Sequence, residues 1–182
     1  MLKAFFTMVL LLAFVGCSSV SVTSDYDPQA DFTKYKTYKW GTANDPNDAL
    51  LKNQIVADRV YAAIDNALGA KGFTKTESSP DFIVYPHAGT KERTNVDTWG
   101  YGYGGWWGGG PYLGNPGGNI DISHYTEGSL FIDMVDMSTN KLIWRGVGKG
   151  VVNPPSSPEQ GQQNMNDAVT KILQDFPPQP KS

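Results

Sequence analysis

The histidines and carboxylates that could do chemistry are few and widely spaced in this chain of 182 residues. The two histidines, His87 and His124, lie at the ends of one segment, with Asp97 and Asp121 between them. Folding could bring these four residues together around a metal ion, but no H-x-x-x-H or H-E-x-x-H spacing supports such a site. We therefore expect no bound metal and no cofactor, and interpret the four as ordinary polar residues.

Acid-base or nucleophilic catalysis has no clear candidate in the sequence. Asp133 and Asp136 could form a carboxylate pair, but strand positions of opposite parity face opposite ways. Asp136 is better placed to cap a polar turn. The chain has no G-x-S-x-G motif, and its one cysteine, Cys17, is expected to be acylated. The sequence therefore predicts no catalytic residue.

A glycine-rich stretch formally matches a dinucleotide-binding motif. Gly100 to Gly105 fits G-x-G-x-x-G. That motif needs a strand before it and a helix after it, but Trp106, Trp107 and the following glycines cannot begin a helix. Gly148-Lys149-Gly150 lacks the Ser or Thr of a phosphate loop. Neither stretch predicts nucleotide binding.

The same stretch is unusually rich in aromatic residues, which provide large contact area at low entropic cost. One interpretation is a contact surface for sugars, peptides or lipid headgroups. Another is that some rings pack on the sheet and the rest is a disordered insert. A role at a membrane interface is a third. The candidate contact residues are Trp99, Tyr101, Tyr103, Trp106, Trp107 and Tyr112.

The first residues are typical of an export signal. Met1 to Gly16 has a basic residue at Lys3, an apolar run too short to span a bilayer, and a small residue before Cys17. Phe14 to Cys17 resembles the bacterial lipobox, which predicts cleavage before Cys17 and its acylation. Ser18 resembles the sorting residue of outer-membrane lipoproteins. An ordinary secretory signal with an incidental cysteine is the alternative.

Composition limits the class of protein and of partner. The chain has 15 Lys and Arg against 18 Asp and Glu, a net charge of -3, and a pI of about 5.3, which argue against nucleic acid as a partner. The length suits a single domain. We predict a signal peptide at residues 1–16, a short tether at 17–24, one domain at 25–177 and a C-terminal tail at 178–182.

The elements that must position these residues follow from periodicity. The run from Tyr35 to Trp40 predicts a strand. Apolar residues recurring from Leu51 to Leu68 predict a helix capped by Asn47 or Asp48. Residues Phe82 to Tyr85 predict a second strand, which Pro86 should end because proline has no amide hydrogen for the ladder.

A glycine- and aromatic-rich insert loop is predicted at 89–122.

A β-hairpin is predicted after this loop. Leu130 to Val135 predicts its first strand, the polar residues from Asp136 to Lys141 predict its turn, and Leu142 to Arg145 predicts its second strand. Glycines 146, 148 and 150 suggest a bulge or close backbone approach. Trp144 is expected to pack in the core or at its rim, and Met165 to Phe176 predicts a second helix, ended by prolines.

The predicted fold class is α+β, a mainly antiparallel sheet with two helices packed on one face and a long loop rich in Gly, Trp and Tyr. Several short pieces resemble an uncharacterised bacterial lipoprotein family known as domain of unknown function 4136. The pieces are Asp25-Tyr26-Asp27, Ala30-Asp31-Phe32, Tyr35 to Trp40, Ile64-Asp65, Ala67-Leu68, Lys71-Gly72-Phe73, Pro80-Asp81-Phe82, Gly128-Ser129-Leu130 and Leu142 to Gly146. The resemblance implies a lipid-anchored α+β domain of the envelope with no established activity.

Together these features predict a non-enzymatic lipoprotein of a Gram-negative outer membrane, anchored through Cys17 and facing the periplasm. We expect it to act as a binding or assembly module for an envelope protein or a glycan. The alternative is an envelope enzyme acting on peptidoglycan or glycan, whose turnover would depend on His87, His124 or Asp121.

Overall fold

The computed structural model describes residues 20–42, 46–98 and 120–179. The strands occur in runs, interrupted by one helix and followed by another, as is typical of an α+β protein. In chain order they are β1 (Ser21–Tyr26), a 3₁₀ turn (Phe32–Lys34), β2 (Thr37–Trp40), α1 (Gln54–Ala70), β3 (Thr74–Lys75), β4 (Phe82–Thr98), β5 (Ile120–Asp136), β6 (Leu142–Val151) and α2 (Pro158–Ile172).

The six strands form one sheet in the order β1-β6-β5-β4-β2-β3. The pairs β1–β6, β6–β5 and β5–β4 are antiparallel, whereas β2 pairs in parallel with both β4 and β3. Buried residues of both helices and of the central strands join one hydrophobic cluster, so both helices cover the same face. The predicted fold class, including the mainly antiparallel sheet, is confirmed.

Helix α1 begins later than the sequence predicted. Its N-cap is Asn53, whose side chain accepts a hydrogen bond from the Val56 amide. Asp48, a predicted cap, is buried and accepts hydrogen bonds from the amides of Leu50 and Ala88 instead. The cap prediction failed because Asp48 forms a tertiary contact with β4 that local sequence does not reveal.

Helix α2 begins at the N-cap Ser157, with Pro158 in the first turn, where the missing amide hydrogen costs no helical bond. It ends at Ile172, earlier than predicted, yet Phe176 remains in the core at 1% exposure. None of the described helices is long and apolar enough to cross a membrane.

Pro86 does not end β4, contrary to the prediction. The Gly41 amide donates to the Val84 carbonyl, which shows that Val84 points its backbone polar groups toward β2. Pro86, two positions on, points the same way, and β2 ends at Trp40 opposite Val84. The missing amide hydrogen therefore lies where no strand needs it, and β4 continues.

The predicted insert loop at 89–122 is also wrong at both ends. Residues 89–98 belong to β4 and residues 120–122 to β5, paired in register from Gly89 opposite Ser129 to Thr98 opposite Ile120. The β-branched residues Val96, Ile120 and Ile122 favour strands, whereas the glycines are concentrated at 100–118. The rest of the predicted loop lies outside the described residues.

The predicted tether at 17–24 is shorter than expected, because Ser21 to Ser24 belong to β1. This strand pairs with β6 from Ser21 opposite Lys149 to Tyr26 opposite Trp144. Its alternating Val22 and Tyr26 are half-buried against the core, which stabilises the pairing. The folded domain thus includes Ser21 to Ser24, which the prediction assigned to the tether.

The hairpin between β5 and β6 is confirmed, and Asp136 caps its turn as predicted. One carboxylate oxygen of Asp136 accepts hydrogen bonds from the amides of Ser138 and Thr139. The sheet irregularity lies between Met134 and Val135, opposite Ile143, rather than at the glycines.

At the glycines of β6, neighbouring side chains approach the strand backbone closely, as the sequence predicted. A Cβ on Gly146 would lie 2.2 Å from the Trp144 ring, and one on Gly148 would lie 2.6 Å from the Ile172 side chain. The absence of both side chains lets α2 and the indole pack directly on the strand. Trp144 is 1% exposed, which confirms its predicted place in the core.

Candidate functional site

The face of the sheet opposite the helices carries the candidate site. Along β5, Ile132 and Met134 are fully buried toward the helices, so Phe131 and Asp133 lie on the opposite face. On β6, Trp144 is buried and Arg145 lies on the same face as Asp133. We call this surface the helix-free face.

A bidentate ion pair lies at the centre of the helix-free face. Asp133 and Arg145 are register partners on β5 and β6. One carboxylate oxygen of Asp133 accepts a hydrogen bond from Nε of Arg145 at 2.6 Å, and the other accepts one from Nη2 at 2.5 Å. The planar guanidinium matches both carboxylate oxygens, which fixes the orientation of each group.

His87 on β4 completes the cluster from the other side. Its Nε2 lies 3.2 Å from Oδ2 of Asp133, and its ring stacks on Phe131 with centroids 4.9 Å apart and planes 21° apart. The His87 side chain is 37% exposed, so part of its ring is accessible to solvent. The two stacked rings pack against each other beside the ion pair.

Half-buried apolar side chains surround the cluster. Tyr85 lies beside Asp133 in register, and its ring covers Gly41, where a Cβ would lie 2.0 Å from it. Because Gly41 lacks a side chain, the ring can rest on the end of β2. The other surrounding residues are Ile83, Val135 and Val147.

The electrostatics of the cluster follow from its hydrogen bonds. Burial alone would raise the pKa of the Asp133 carboxyl, but the hydrogen bonds from Arg145 and His87 outweigh it and lower that pKa. The bond to Asp133 in turn raises the pKa of Arg145. Asp133 therefore stays ionised at neutral pH, and the cluster is a fixed arrangement of opposite charges.

This arrangement is suited to binding polar ligands. Arg145 uses Nε and Nη2 for Asp133 and retains the Nη1 hydrogens as donors. Its side chain is 44% exposed, so these donors are accessible. Among the described residues, no group of three or more His, Cys, Asp or Glu side chains is placed to hold a metal ion.

A second feature is a cleft of about 610 Å³ near the C-terminal end of α1. The residues that line it include Tyr26, Asp31, Phe32 and Phe73. The Phe32 and Phe73 rings also contact Phe176 in the core, which indicates a packing role for this region.

Several candidate residues from the sequence fall elsewhere. Cys17 and the aromatic candidates Trp99, Tyr101, Tyr103, Trp106, Trp107 and Tyr112 lie outside the described residues. The register places His87 opposite Phe131 and His124 opposite Thr94, which separates their backbones by about 23 Å along the strands. Asp97 and Asp121 are register partners of each other, remote from His87. The four residues do not converge.

Sequence reasoning missed the partnership of Asp133, Arg145 and His87. The sequence analysis relates Asp133 only to Asp136, and names Arg145 only as the end of the second strand of the hairpin. The alternation along β5 and β6 already placed Asp133 and Arg145 away from the helices. A regular hairpin, however, would place Trp144 rather than Arg145 opposite Asp133, so alternation alone does not indicate the pair.

Comparison with solved structures concerns the fold. The crystal structure of a PDZ domain protein from Parabacteroides distasonis ATCC 8503 matches with a TM-score of 0.51 and 14% identity, over 88% of this chain and 36% of that chain. This chain thus spans about a third of that protein. Two PelC dodecamer structures from Paraburkholderia phytofirmans match with a TM-score of 0.36 and 13% and 12% identity, over 85% of this chain and 94% of theirs.

The family comparison covers the whole described domain. No curated protein matches the chain. Residues 22–178 match the family described as a domain of unknown function, DUF4136, from the first residues of β1 to the prolines after α2. The resemblance inferred from the short sequence pieces is therefore confirmed, and the chain belongs to the DUF4136 family.

Proposed function

We propose that this protein is a lipoprotein anchored through acylated Cys17 in the outer membrane, facing the periplasm, where it acts as a binding module for an envelope glycan. The anchor is supported by the signal-like segment 1–16 and the lipobox-like residues before Cys17. Two or more acyl chains would hold the protein stably at the membrane.

The observation that carries the binding role is the cluster of His87, Asp133 and Arg145 beside the ring of Phe131. A sugar presents an apolar ring face and hydroxyl groups around its edge. The partly exposed rings of His87 and Phe131 offer an apolar, aromatic contact for the apolar ring face of the sugar. The Arg145 donors and the Asp133 acceptor offer rigidly placed hydrogen-bond partners for the sugar hydroxyl groups.

The charge of the helix-free face favours an acidic glycan. Among the side chains that the structure describes, strand alternation places three acidic residues on this face, Asp25, Glu127 and Asp133, and five cationic ones, Lys39, Lys91, Arg93, Arg145 and Lys149. Lys149 and Lys91 are exposed there, and Lys39 is half-buried. A polymer bearing carboxylates would meet complementary charge along the strands.

The aromatic candidates from the sequence extend this proposal. Trp99, Tyr101, Tyr103, Trp106, Trp107 and Tyr112 lie in the segment that joins the ends of β4 and β5. We propose this segment as a second contact surface of the module.

The experiment is sedimentation of the full mature protein with purified peptidoglycan sacculi and with soluble acidic and neutral glycans. Phe131→Ala and Arg145→Gln should weaken binding to an acidic glycan, whereas Lys52→Gln, an exposed change before α1, should not. Deleting residues 100–118 tests the aromatic segment separately. Equal binding by the wild type, Phe131→Ala and Arg145→Gln would rule out the helix-free face.

The enzymatic alternative is favoured by one feature, the hydrogen-bonded pair of His87 and Asp133. Such a pair can orient a histidine for proton transfer. Incubation with sacculi should then release soluble fragments, and His87→Ala should abolish the release. Release that is absent, or unchanged in His87→Ala and in alanine variants of His124 and Asp121, would exclude this function.

A further inference from the structure

A small pocket lies where β2 ends beside α1, on the side of the sheet that the helices cover. Trp40 is the last residue of β2 and pairs in register with Val84, which is fully buried on that side. The pocket has a volume of about 300 Å³ and is lined by Trp40, Gly41, Thr42, Leu51 and Tyr61. It is therefore separate from the surface proposed above for glycan binding.

Two aromatic rings form adjoining walls of this pocket. The centroids of the Trp40 and Tyr61 rings lie 4.7 Å apart, and the ring planes meet at 80°. Both residues are half-buried, and Leu51, which also lines the pocket, is exposed. The face of an aromatic ring carries negative electrostatic potential and attracts a cation, most strongly in tryptophan. The walls thus favour a ligand that is positively charged and has an apolar surface.

Asp48 is buried with one carboxylate oxygen unpaired. The residue is 4% exposed, and its Oδ1 accepts hydrogen bonds from the amides of Leu50 and Ala88, both at 2.9 Å. Its Oδ2 is buried and has no hydrogen-bond partner, and no ion pair joins Asp48 to a described Lys, Arg or His side chain. An unpaired buried carboxylate is costly, so a cation held nearby would stabilise it.

Two observations connect Asp48 with the walls of the pocket. The amide of Leu51 donates to the Asp48 carbonyl at 3.2 Å, so this wall residue belongs to the same turn as Asp48. Burial raises the pKa of the Tyr61 hydroxyl, and the charge of Asp48 raises it further. The Asp48 charge therefore acts on the pocket, and it acts more strongly there than in water because the surroundings are largely apolar.

The burial of the free carboxylate oxygen selects the kind of cation. A primary ammonium group needs hydrogen-bond acceptors for its donors, and a metal ion needs several oxygen ligands. The buried Oδ2 of Asp48 is not accessible for either role. A quaternary ammonium group has no N–H donor, so it needs only aromatic contacts for its methyl groups and a negative charge nearby.

We propose that this pocket binds a small organic cation with a methylated ammonium group, held against the rings of Trp40 and Tyr61 and balanced in charge by Asp48. The pocket lies on the other side of the sheet from the helix-free face. The inference therefore depends neither on glycan binding nor on the lipid anchor.

The first test compares choline with its neutral analogue, in which a tert-butyl group replaces the trimethylammonium group and the shape is kept. Saturation-transfer NMR measures the dissociation constant of each compound for the full mature protein in dodecyl maltoside micelles. Choline should bind about tenfold more tightly, because only choline has the charge that the rings and Asp48 attract. Equal affinities, or no binding of choline, would overturn the proposal.

Two variants and a matched control locate the binding. Asp48→Asn keeps an oxygen for the two amide hydrogen bonds and removes the charge, whereas Tyr61→Leu removes one ring. Each should weaken choline binding about tenfold, and Asp48→Asn should leave the neutral analogue unaffected. Tyr85→Ala, on the helix-free face, should keep the wild-type affinity for choline. Unchanged choline affinity in the first two variants would refute the site, and Tyr61→Leu decides alone if Asp48→Asn does not fold.

A free small molecule and a phospholipid headgroup can both carry a methylated ammonium group. Phosphatidylcholine added to the micelles distinguishes these two sources by competition. Loss of choline binding in its presence would assign the pocket to lipid headgroups, whereas unchanged binding would assign it to a free small molecule. Asp48→Asn should bind an acidic glycan as the wild type does, so that failure of either proposal leaves the other intact.

Discussion

Asp133 on β5 and Arg145 on β6 lie directly opposite each other, and each carboxylate oxygen of Asp133 accepts one hydrogen bond from the guanidinium. The Asp133 side chain is 12% exposed and that of Arg145 is 44% exposed. The Asp133 carboxylate is thus largely buried, whereas the Arg145 guanidinium is accessible to solvent. It gives the helix-free face a rigid charged centre, in contrast to a mobile surface ion pair.

Removing the guanidinium should change the titration of its partner. Arg145→Gln deletes the hydrogen bonds that hold the pKa of Asp133 below its ordinary value, while burial, which raises that pKa, remains. We expect the pKa of Asp133 to rise in Arg145→Gln. Carboxyl-carbon NMR titration of the folded protein measures it directly. An unchanged pKa would mean that His87 or the backbone, rather than Arg145, stabilises the carboxylate.

Acid stability should depend on Asp136. Burial acts to raise the pKa of Asp136, but hydrogen bonds from Ser138, Tyr35 and Thr139 outweigh it and lower the pKa well below the ordinary value. A carboxyl whose pKa is lower in the folded state stabilises fully above its unfolded pKa of about 3.9. That contribution is lost as the pH falls toward the folded pKa. Stability should therefore decrease with acid below about pH 4.

Urea unfolding between pH 2 and 6 checks this dependence. Asp136→Asn removes the titrating group and should flatten the fall in the free energy of unfolding at low pH. Asn140→Gly serves as the control in the same turn, since Asn140 has φ of 54° and glycine adopts that conformation readily. The control should keep the wild-type slope. Equal slopes of unfolding free energy against pH in all three proteins would show that Asp136 does not cause the loss of stability in acid.

The close approach at Gly146 makes that position intolerant of a side chain. A Cβ there would lie 2.2 Å from the Trp144 ring and 2.7 Å from the Ile172 side chain, both in the core. Gly146→Ala should cost about 1–3 kcal/mol because the buried neighbours cannot move away freely. Gly89→Ala, with no atom within 4 Å of the added Cβ, should cost much less. Denaturant unfolding compares the two, and similar losses would contradict the packing argument.

The features that the sequence predicted correctly depend on residues close together in the chain or on the preferences of single side chains. The helix periodicity placed Val60, Ile64 and Leu68 on one face, and all three are buried in α1. The polar turn at Asp136 and the buried Trp144 were predicted because turn chemistry and large aromatic side chains have strong individual preferences. These features need no knowledge of the strand register.

The partners within the candidate site depend on an irregularity that sequence does not reveal. Val135 pairs with Leu142, but Met134 pairs with Trp144, so Ile143 is an extra residue in β6. A regular hairpin counted from the same turn would place Trp144, not Arg145, opposite Asp133. The extra residue brings the two charges together. The predicted end of β4 at Pro86 was also wrong. The missing amide hydrogen of Pro86 would end β4 only if a neighbouring strand needed it, and β2 ends at Trp40, before that position.

The Tyr85 ring offers a way to perturb the helix-free face without removing a charge. A Cβ on Gly41 would lie 2.0 Å from this ring, which is half-buried and can rotate away. Gly41→Ala should therefore displace Tyr85 at a small cost in stability and alter the surface beside Asp133. If this face binds a glycan, affinity for the acidic glycan should fall while the unfolding midpoint stays near the wild type. Tyr85→Ala should reproduce the loss, because both variants remove the ring from the same place. Full affinity in both variants would limit the binding surface to the stacked rings of His87 and Phe131 and the charges of Asp133 and Arg145.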